Sequence, residues 1–336
     1  MLKFVVRRLL LLAPILVGLS ILVFAWVRAL PGGPEAALLG ERATPDRIAA
    51  VRHEYGLDKP IYQQYFTYVG HVATGDFGSS IKTTRPVLGD IKVKFPATIE
   101  LAIAALLFAI LLGIPLGFLA ARRYQTWADS STIVGSLLGI SVPVFFLAYL
   151  LKYVFAVKLH WLPSTGRLNP TIDIPHPTGF YVLDAIIAGD WHTFVDAIRH
   201  LILPGIALGT IPLAIITRIT RAAVLEVSNE DYVRTAEAKG LMRRTVDGRH
   251  ILRNAMLPVA TVIGLQTGLL LSGAVLTEIV FAWPGMGSWL YDATFNRDFP
   301  VLEGGILFLA VVFVLVNLLV DVSYGILDPR IRLQGK

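Results

Sequence analysis

The sequence predicts an all-α membrane protein with six transmembrane helices and both termini on the cytoplasmic side. Three observations carry that prediction. Of 336 residues, 55% are hydrophobic and only 16% charged, against about 25% charged in ordinary soluble domains. Six long runs contain no Asp, Glu, Lys or Arg. Basic residues, finally, gather in alternate connecting segments.

The runs are 9–27, 101–121, 130–151, 201–217, 254–277 and 304–320. A helix needs about 20 mainly apolar residues to cross a hydrocarbon core of roughly 30 Å. A charge at mid-helix costs about 2.5–3.5 kcal/mol on insertion scales, so six charge-free stretches of this length are not accidental. The two 17-residue runs, 201–217 and 304–320, sit at the short end and are expected to extend through snorkelling polar ends. Pro14, Pro115, Pro143, Pro204, Pro212 and Pro258 fall in or beside the runs, where neighbouring helices satisfy the backbone groups that proline frees. The first run of 19 residues is too long for a signal-peptide core, and Arg28, Pro31 and Pro34 follow it instead of a small-residue cleavage site. The expectation is an uncleaved first helix.

Orientation follows from the cations. Lys3, Arg7 and Arg8 precede the first run, and Arg122 and Arg123 lie between the second and third. Eight Lys or Arg occupy 218–253, and Arg330, Arg332 and Lys336 follow the last run. The opposite short segments, 152–199 and 278–303, hold five basic and eight acidic residues. By the positive-inside rule both termini face the cytoplasm. The net charge of +6 is thus explained by membrane topology and lipid contact, and no nucleic-acid partner is expected.

The chain divides into an N-terminal segment with the first helix (1–30) and an external segment (31–98). A permease-like core (99–325) follows, with an external insertion at 158–198 and an inner loop at 218–253, then a tail (326–336). In the external segment, Thr44 and Pro45 form a helix start, with Ile48, Val51 and Tyr55 at helical spacing. A second helix is expected from Ile61 to about Ala73, its Tyr62, Tyr65, Phe66 and Tyr68 capping the bundle; a solvated loop with marginal helices is the other reading. Pro163, Pro170, Pro175 and Pro177 make the first half of 158–198 irregular, with a short helix at Phe180–Ala188. Trp26, Trp161, Trp283 and Trp289 fall where interfacial anchors are expected.

Several chemistries are missing. There is no cysteine, and the only Gly-Lys pair is Gly335-Lys336, so no Walker A phosphate loop exists. The seven histidines show no metal-ligand spacing, and His200 reads as a boundary residue. Inside the runs no ionisable residue marks an ion path, since Glu278 and Asp321 lie only at run ends. That argues against a secondary carrier and against a membrane enzyme. The runs carry small residues instead, among them Gly135, Ser136, Gly139, Ser141, Gly264, Thr267, Gly268, Ser272 and Gly273. These suit close helix packing, with lining of an uncharged path as the alternative.

The segment 218–253 is the most specific. Ser228 or Asn229 is placed to cap a short helix, Ser228-x-x-Asp231 has capping-box spacing, and Gly240 stands as a C-terminal stop. The expected helix, Asn229 to Lys239, has small Ala236 and Ala238 beside apolar Tyr232, Val233 and Leu241. A short rigid helix of this kind suits docking to a cytoplasmic partner; a basic loop on anionic lipid is the alternative.

Asp231-Tyr-Val-Arg-Thr-Ala-Glu-Ala-Lys-Gly-Leu241, followed by His250-Ile-Leu-Arg-Asn-Ala-Met-Leu-Pro258, resembles the cytoplasmic-loop motif of ABC importer permeases, most closely the dipeptide and oligopeptide branch. Similar stretches run along the chain: Arg7-Arg8, Leu30-Pro-Gly-Gly-Pro34, Tyr55-Gly-Leu-Asp-Lys-Pro60, Gly75-Asp-Phe-Gly78, Pro96-Ala-Thr-Ile-Glu-Leu101, Phe281-Ala-Trp-Pro-Gly-Met-Gly287 and Asp328-Pro-Arg-Ile-Arg332. The resemblance implies a type I ABC importer permease fold in the bacterial cytoplasmic (inner) membrane. It implies a homologous second permease subunit, two cytoplasmic ATPase subunits that bind the ATP and Mg, and an extracytoplasmic substrate-binding protein. This chain itself would hold no cofactor or metal and carry no catalytic residue. By position, Tyr232, Arg234, Thr235, Ala236, Lys239 and Gly240 would form the ATPase-coupling contact. The implied cargo is a di- or oligopeptide; nickel chelate, haem and glutathione are carried by related permeases. Two departures stand out. Arg234 replaces the Glu of the general motif, as in the peptide branch, and Asp247-Gly248-Arg249 puts a helix breaker before Pro258.

Overall fold

The computed structural model describes residues 2–29, 44–54, 56, 58–172 and 175–327. Leu30–Pro34, Tyr55, Leu57, Asp328–Arg332 and the rest of the tail lie outside the described residues, as do the side chains of Arg7, Arg8, Ser272 and Gly273. The regular elements of the described residues are all helices, apart from an isolated antiparallel bridge between Ser79 and Pro86, and the first half of the insertion, 159–180, is irregular.

The first helix, α1, runs Leu2–Ala29, and the external segment gives α2 (Pro45–Glu54) and α3 (Ile61–Ala73). Both external helices start where the sequence places them. Ile48 N donates to Thr44 O at 2.9 Å, closing the first turn behind Pro45. Instead of capping the bundle, α3 lies along α1: the Tyr65 and Tyr68 rings pack on Phe24, while Tyr62 and Phe66 point away.

At the centre, α4 (Val87–Arg122) packs along most of its length against α8 (Trp191–Ser228). The two backbones meet at glycines. A Cβ on Gly209 would stand 2.6 Å from Ala105 O, and one on Gly113 would stand 3.0 Å from Ile216 Cγ2. Absence of side chains here permits the close approach that dispersion forces between membrane helices require. The sequence places small-residue packing in the third and fifth runs. There Gly139 and Gly268 do pack, against Thr210 and Asn317, whereas Gly135 opens onto a groove of about 380 Å³ between α4, α5 and α8.

The third run is the main correction to a set of straight crossings. It forms α5 (Trp127–Ser141) and α6 (Val144–Leu151, continued by a π-helical turn Lys152–Lys158), bent by 102°. Pro143 is the cause: it forces Val142 into an extended conformation (φ −81°, ψ 122°) and offers no N–H to carry the helix on.

The insertion supplies α7 (Tyr181–Ala188), one residue shorter at its start than expected, with Phe180 as its N-cap residue. The rest follows as α9 (Asp231–Ala238), α10 (Arg253–Gly273, led by a π-helical segment Val246–Leu252), α11 (Val275–Val280), α12 (Met286–Asn296) and α13 (Phe299–Leu327). Asp247-Gly248-Arg249 therefore does not break the chain before Pro258; it widens the helix by one residue per turn. Among the described residues, four helices are long and apolar enough to span, or five with the bent pair, and Pro14–Ala29 is a shorter apolar helix.

Candidate functional site

Helix α9 is amphipathic on the scale of two turns. Val233 and Ala236, three residues apart and so on one face, are buried against Ala121, Val224, Val246, Ile251 and Ala255. Asp231, Tyr232, Arg234, Thr235, Glu237, Ala238 and Lys239 form the exposed remainder. Of the residues assigned to a partner contact, Tyr232, Arg234, Thr235, Lys239 and Gly240 are exposed together, while Ala236 is turned inward and anchors the helix to its seat.

The ends of α9 are defined differently from the sequence expectation. Ser228 belongs to α8, where its hydroxyl donates to Val224 O at 2.6 Å, and Asn229 caps α8 through a 2.9 Å bond to Leu225 O. The N-cap residue is Glu230, with no side-chain cap bond, so the capping box is not formed. At the other end Gly240 takes φ +74°, its N–H donates to Glu237 O at 2.9 Å, and Leu241 N donates to Ala236 O. That closure needs a left-handed residue, which glycine supplies without a Cβ clash.

Polar contacts tie the seat to four helices of the bundle. Arg221 of α8 makes two hydrogen bonds to Asp129 of α5, Nε to Oδ1 at 2.5 Å and a terminal nitrogen to Oδ2 at 2.8 Å. Arg122 at the end of α4 pairs with Asp247 of the π-helical segment at 2.8 Å. The Tyr232 hydroxyl accepts from Asn254 Nδ2 at 3.0 Å, tying the exposed face to α10. A load on α9 would therefore pass to α4, α5, α8 and α10 through charged and buried contacts, without a flexible linker.

The opposite end of the bundle holds a second polar assembly, which residue-type reasoning passed over. Glu278, wholly buried in α11, accepts from Thr98 Oγ1 at 2.7 Å and from Ser288 N at 2.8 Å. Trp283 Nε1 donates to Ala97 O at 2.8 Å, and Met286 N donates to Thr98 Oγ1 at 2.8 Å. Trp283 is thus a core residue at 1% exposure and not an interfacial anchor, because its N–H is consumed inside. Next to it, buried Arg167 reaches out of the insertion to Glu100 Oε2 at 2.5 Å and Gly179 O at 2.8 Å, and lies over the Tyr181 ring. Glu100 also accepts from Val182 N. The insertion is clasped to α4 by these bonds. The signal was present in the stretches Pro96–Leu101 and Phe281–Gly287, but nothing in one-dimensional spacing says that they meet. His200, expected at a boundary, is buried and bonded through Nδ1 to Asp196 O at 2.8 Å.

A bundle of long apolar helices, with one rigid amphipathic helix seated at one end and charge confined to the two ends, defines a membrane transport subunit. The chain belongs to the family of binding-protein-dependent transport system inner membrane components, whose profile matches residues 113–333, with the N-terminal region of such components matching 1–102. Similar curated proteins include the dipeptide transport system permease DppB of Alkalihalophilus pseudofirmus, 47% identical over 99% of this chain and 100% of the relative. The di/tripeptide permease DppB of Pseudomonas aeruginosa is 49% identical over the same shares. The glutathione permease GsiC of Escherichia coli is 40% identical over 99% of each chain. Among solved structures, a chain of the inward-facing methionine ABC transporter MetNI superposes with a TM-score of 0.51 at 14% identity, covering 69% of this chain and 93% of that one. The chain has the type I ABC importer permease fold.

Proposed function

We propose that this chain forms half of the transmembrane path of an ATP-driven importer for di- and oligopeptides, with a homologous permease as the other half. Two ATPase subunits bind and hydrolyse ATP with Mg, and a binding protein delivers cargo from outside. This chain supplies path and coupling, not catalysis. The names of the full-length relatives support the peptide class, and the glutathione relative keeps glutathione, with nickel chelate and haem, as the second reading of cargo. Six crossings with cytoplasmic termini fit the charge pattern, counting α1, α4, the bent α5–α6 pair, α8, α10 and α13. That topology puts α9 at the ATPase side and the Glu278 assembly outside.

The observation that carries the coupling role is the division of labour on α9: Val233 and Ala236 fix it to the bundle while Tyr232, Arg234, Thr235, Lys239 and Gly240 stay exposed on a helix with a rigid C-terminal closure. The exposed five are the contact surface, and Ala236 acts as its foot. Reconstitution tests the reading. The assembled complex in vesicles should concentrate a labelled dipeptide only with ATP, and the isolated chain should not concentrate it at all. Accumulation by the isolated chain without nucleotide would overturn the proposal.

A further inference from the structure

We propose that α3 is a membrane-seated helix, laid in the lipid headgroup and acyl boundary at the Arg28 end of α1. Its occupant is the bilayer surface itself. The inference does not depend on cargo or on coupling.

Composition comes first. Residues 61–73 contain no Asp, Glu, Lys or Arg, yet at 13 residues the helix is about 20 Å long, too short to cross. Its side chains sort into three stripes. Tyr65, Tyr68 and Val72 form the face toward α1. Tyr62, Phe66, Val69 and Ala73, at spacings of four, three and four, form an apolar stripe beside it. Gln63, Thr67 and His71 form the polar side, and Thr67 and His71 face a cavity of about 600 Å³ shared with Arg28, Asp76 and Glu303. Val69 is half-buried, but the rest of the apolar stripe is open among the described residues: Phe66 is 70% and Tyr62 60% exposed.

Depth decides what covers it. The Tyr65 hydroxyl stands 2.9 Å from Ser20 Oγ, and Gln64 accepts from Arg28 Nε at 3.1 Å. Ser20 lies eight residues inside Arg28, which is about 12 Å along the helix. Arg28 itself pairs with Glu303 near the start of α13, marking the polar boundary of both helices. So the contacts of α3 run from the level of Arg28 down to that of Ser20, with Tyr65 and Tyr68 packed on Phe24 between them, beside a stretch of α1 whose Ile21, Leu22 and Trp26 are also exposed. At that depth the medium beside α1 is lipid, so the Tyr62–Phe66 stripe meets lipid too, as aromatic side chains do at membrane interfaces.

The absence of cysteine from the chain makes the test direct. Single-cysteine variants Y62C, F66C and, on the polar side, T67C are labelled with a bimane fluorophore in the assembled transporter, in phosphatidylcholine vesicles. One arm carries phosphatidylcholine brominated near the headgroup end of its acyl chains, the other aqueous iodide. The labels at 62 and 66 should lose most of their emission to brominated lipid and keep it in iodide, with the reverse at 67. Phe66→Trp, which keeps an aromatic ring, should show the same lipid quenching in the emission it adds over that of the parent complex, whose chain has six tryptophans, and guards against a misfolded cysteine variant. Iodide quenching at 62 and 66 without lipid quenching would overturn the proposal. Shielding from both quenchers, which means that a protein surface covers the stripe, would overturn it equally.

Discussion

The Glu278 carboxylate and the Thr98 hydroxyl, 180 residues apart, meet at 2.7 Å in a fully buried site. Thr98 is used twice, donating to Glu278 and accepting from Met286 N. Ser288 N supplies a further donor to the carboxylate, and Gly285 lies against it where no Cβ would fit. One acid thus organises the turn between α11 and α12 and fixes that turn to α4.

Thr98→Val keeps the shape of the side chain and removes the hydroxyl, leaving Met286 N unpaired and Glu278 short of a donor. A cost of about 1–3 kcal/mol is expected, read as a lower unfolding temperature of the purified complex. Gly285→Ala should be worse than Thr98→Val, because the carboxylate must move out of its donors. Equal stability of the two variants would contradict this account.

Arg167→Met should loosen the insertion by about 3–5 kcal/mol, since it leaves Glu100 buried with its charge uncompensated. Adding Glu100→Gln in the same chain should recover part of that loss. Proteolysis within 158–180 of membrane-embedded complex measures it: faster cutting in the single variant, slower again in the double.

At Gly240 most residues with a Cβ, Asn excepted, bear about 1–3 kcal/mol of backbone strain in the left-handed region. Gly240→Glu should insert into the membrane normally yet reduce both ATPase association and ATP-driven uptake. Gly240→Asn, which tolerates that conformation, should retain most of both. Unchanged association and uptake in Gly240→Glu would count against α9 as the coupling element.

Asp190 caps α8, accepting from Thr193 Oγ1 at 2.6 Å and Thr193 N at 3.1 Å. The Thr193 hydroxyl first, then its backbone N–H, hold the Asp190 carboxyl below the usual carboxylate range. A depressed folded value means the cap's contribution is present above the ordinary Asp value of about 3.9 and fades as pH falls through the lower, folded one. Protection of the Thr193 amide, measured against its intrinsic exchange rate at each pH, should therefore fall as pH drops below that range in the native chain. In Asp190→Ala it should be low already at neutral pH and carry no such acid step.

Much of the fold was legible because the membrane imposes simple rules on a chain. Charge-free length marked every long helix, Gly240 marked the end of α9, and Pro60 and Pro86 stand where α3 and α4 begin. The same rules could not foresee the 102° bend, since proline inside a run is as often absorbed as it is a hinge. Tertiary surroundings alone decide that, and here Val142 is extended. The capping box failed for a related reason: α8 continued through Ser228 and took the cap residues for itself.

By itself, then, the sequence determined where the chain is apolar, which loops are basic, and that a short helix ended by Gly240 stands between two spans. Those properties are local and additive, so order along the chain suffices to state them. Only the tertiary structure decided that Thr98 faces Glu278, that Arg167 finds Glu100, that Ala236 is buried against the bundle, and that α3 lies against Ser20. Each is a pairing between distant residues set by burial and directional hydrogen bonds, and spacing in one dimension does not encode distance in three.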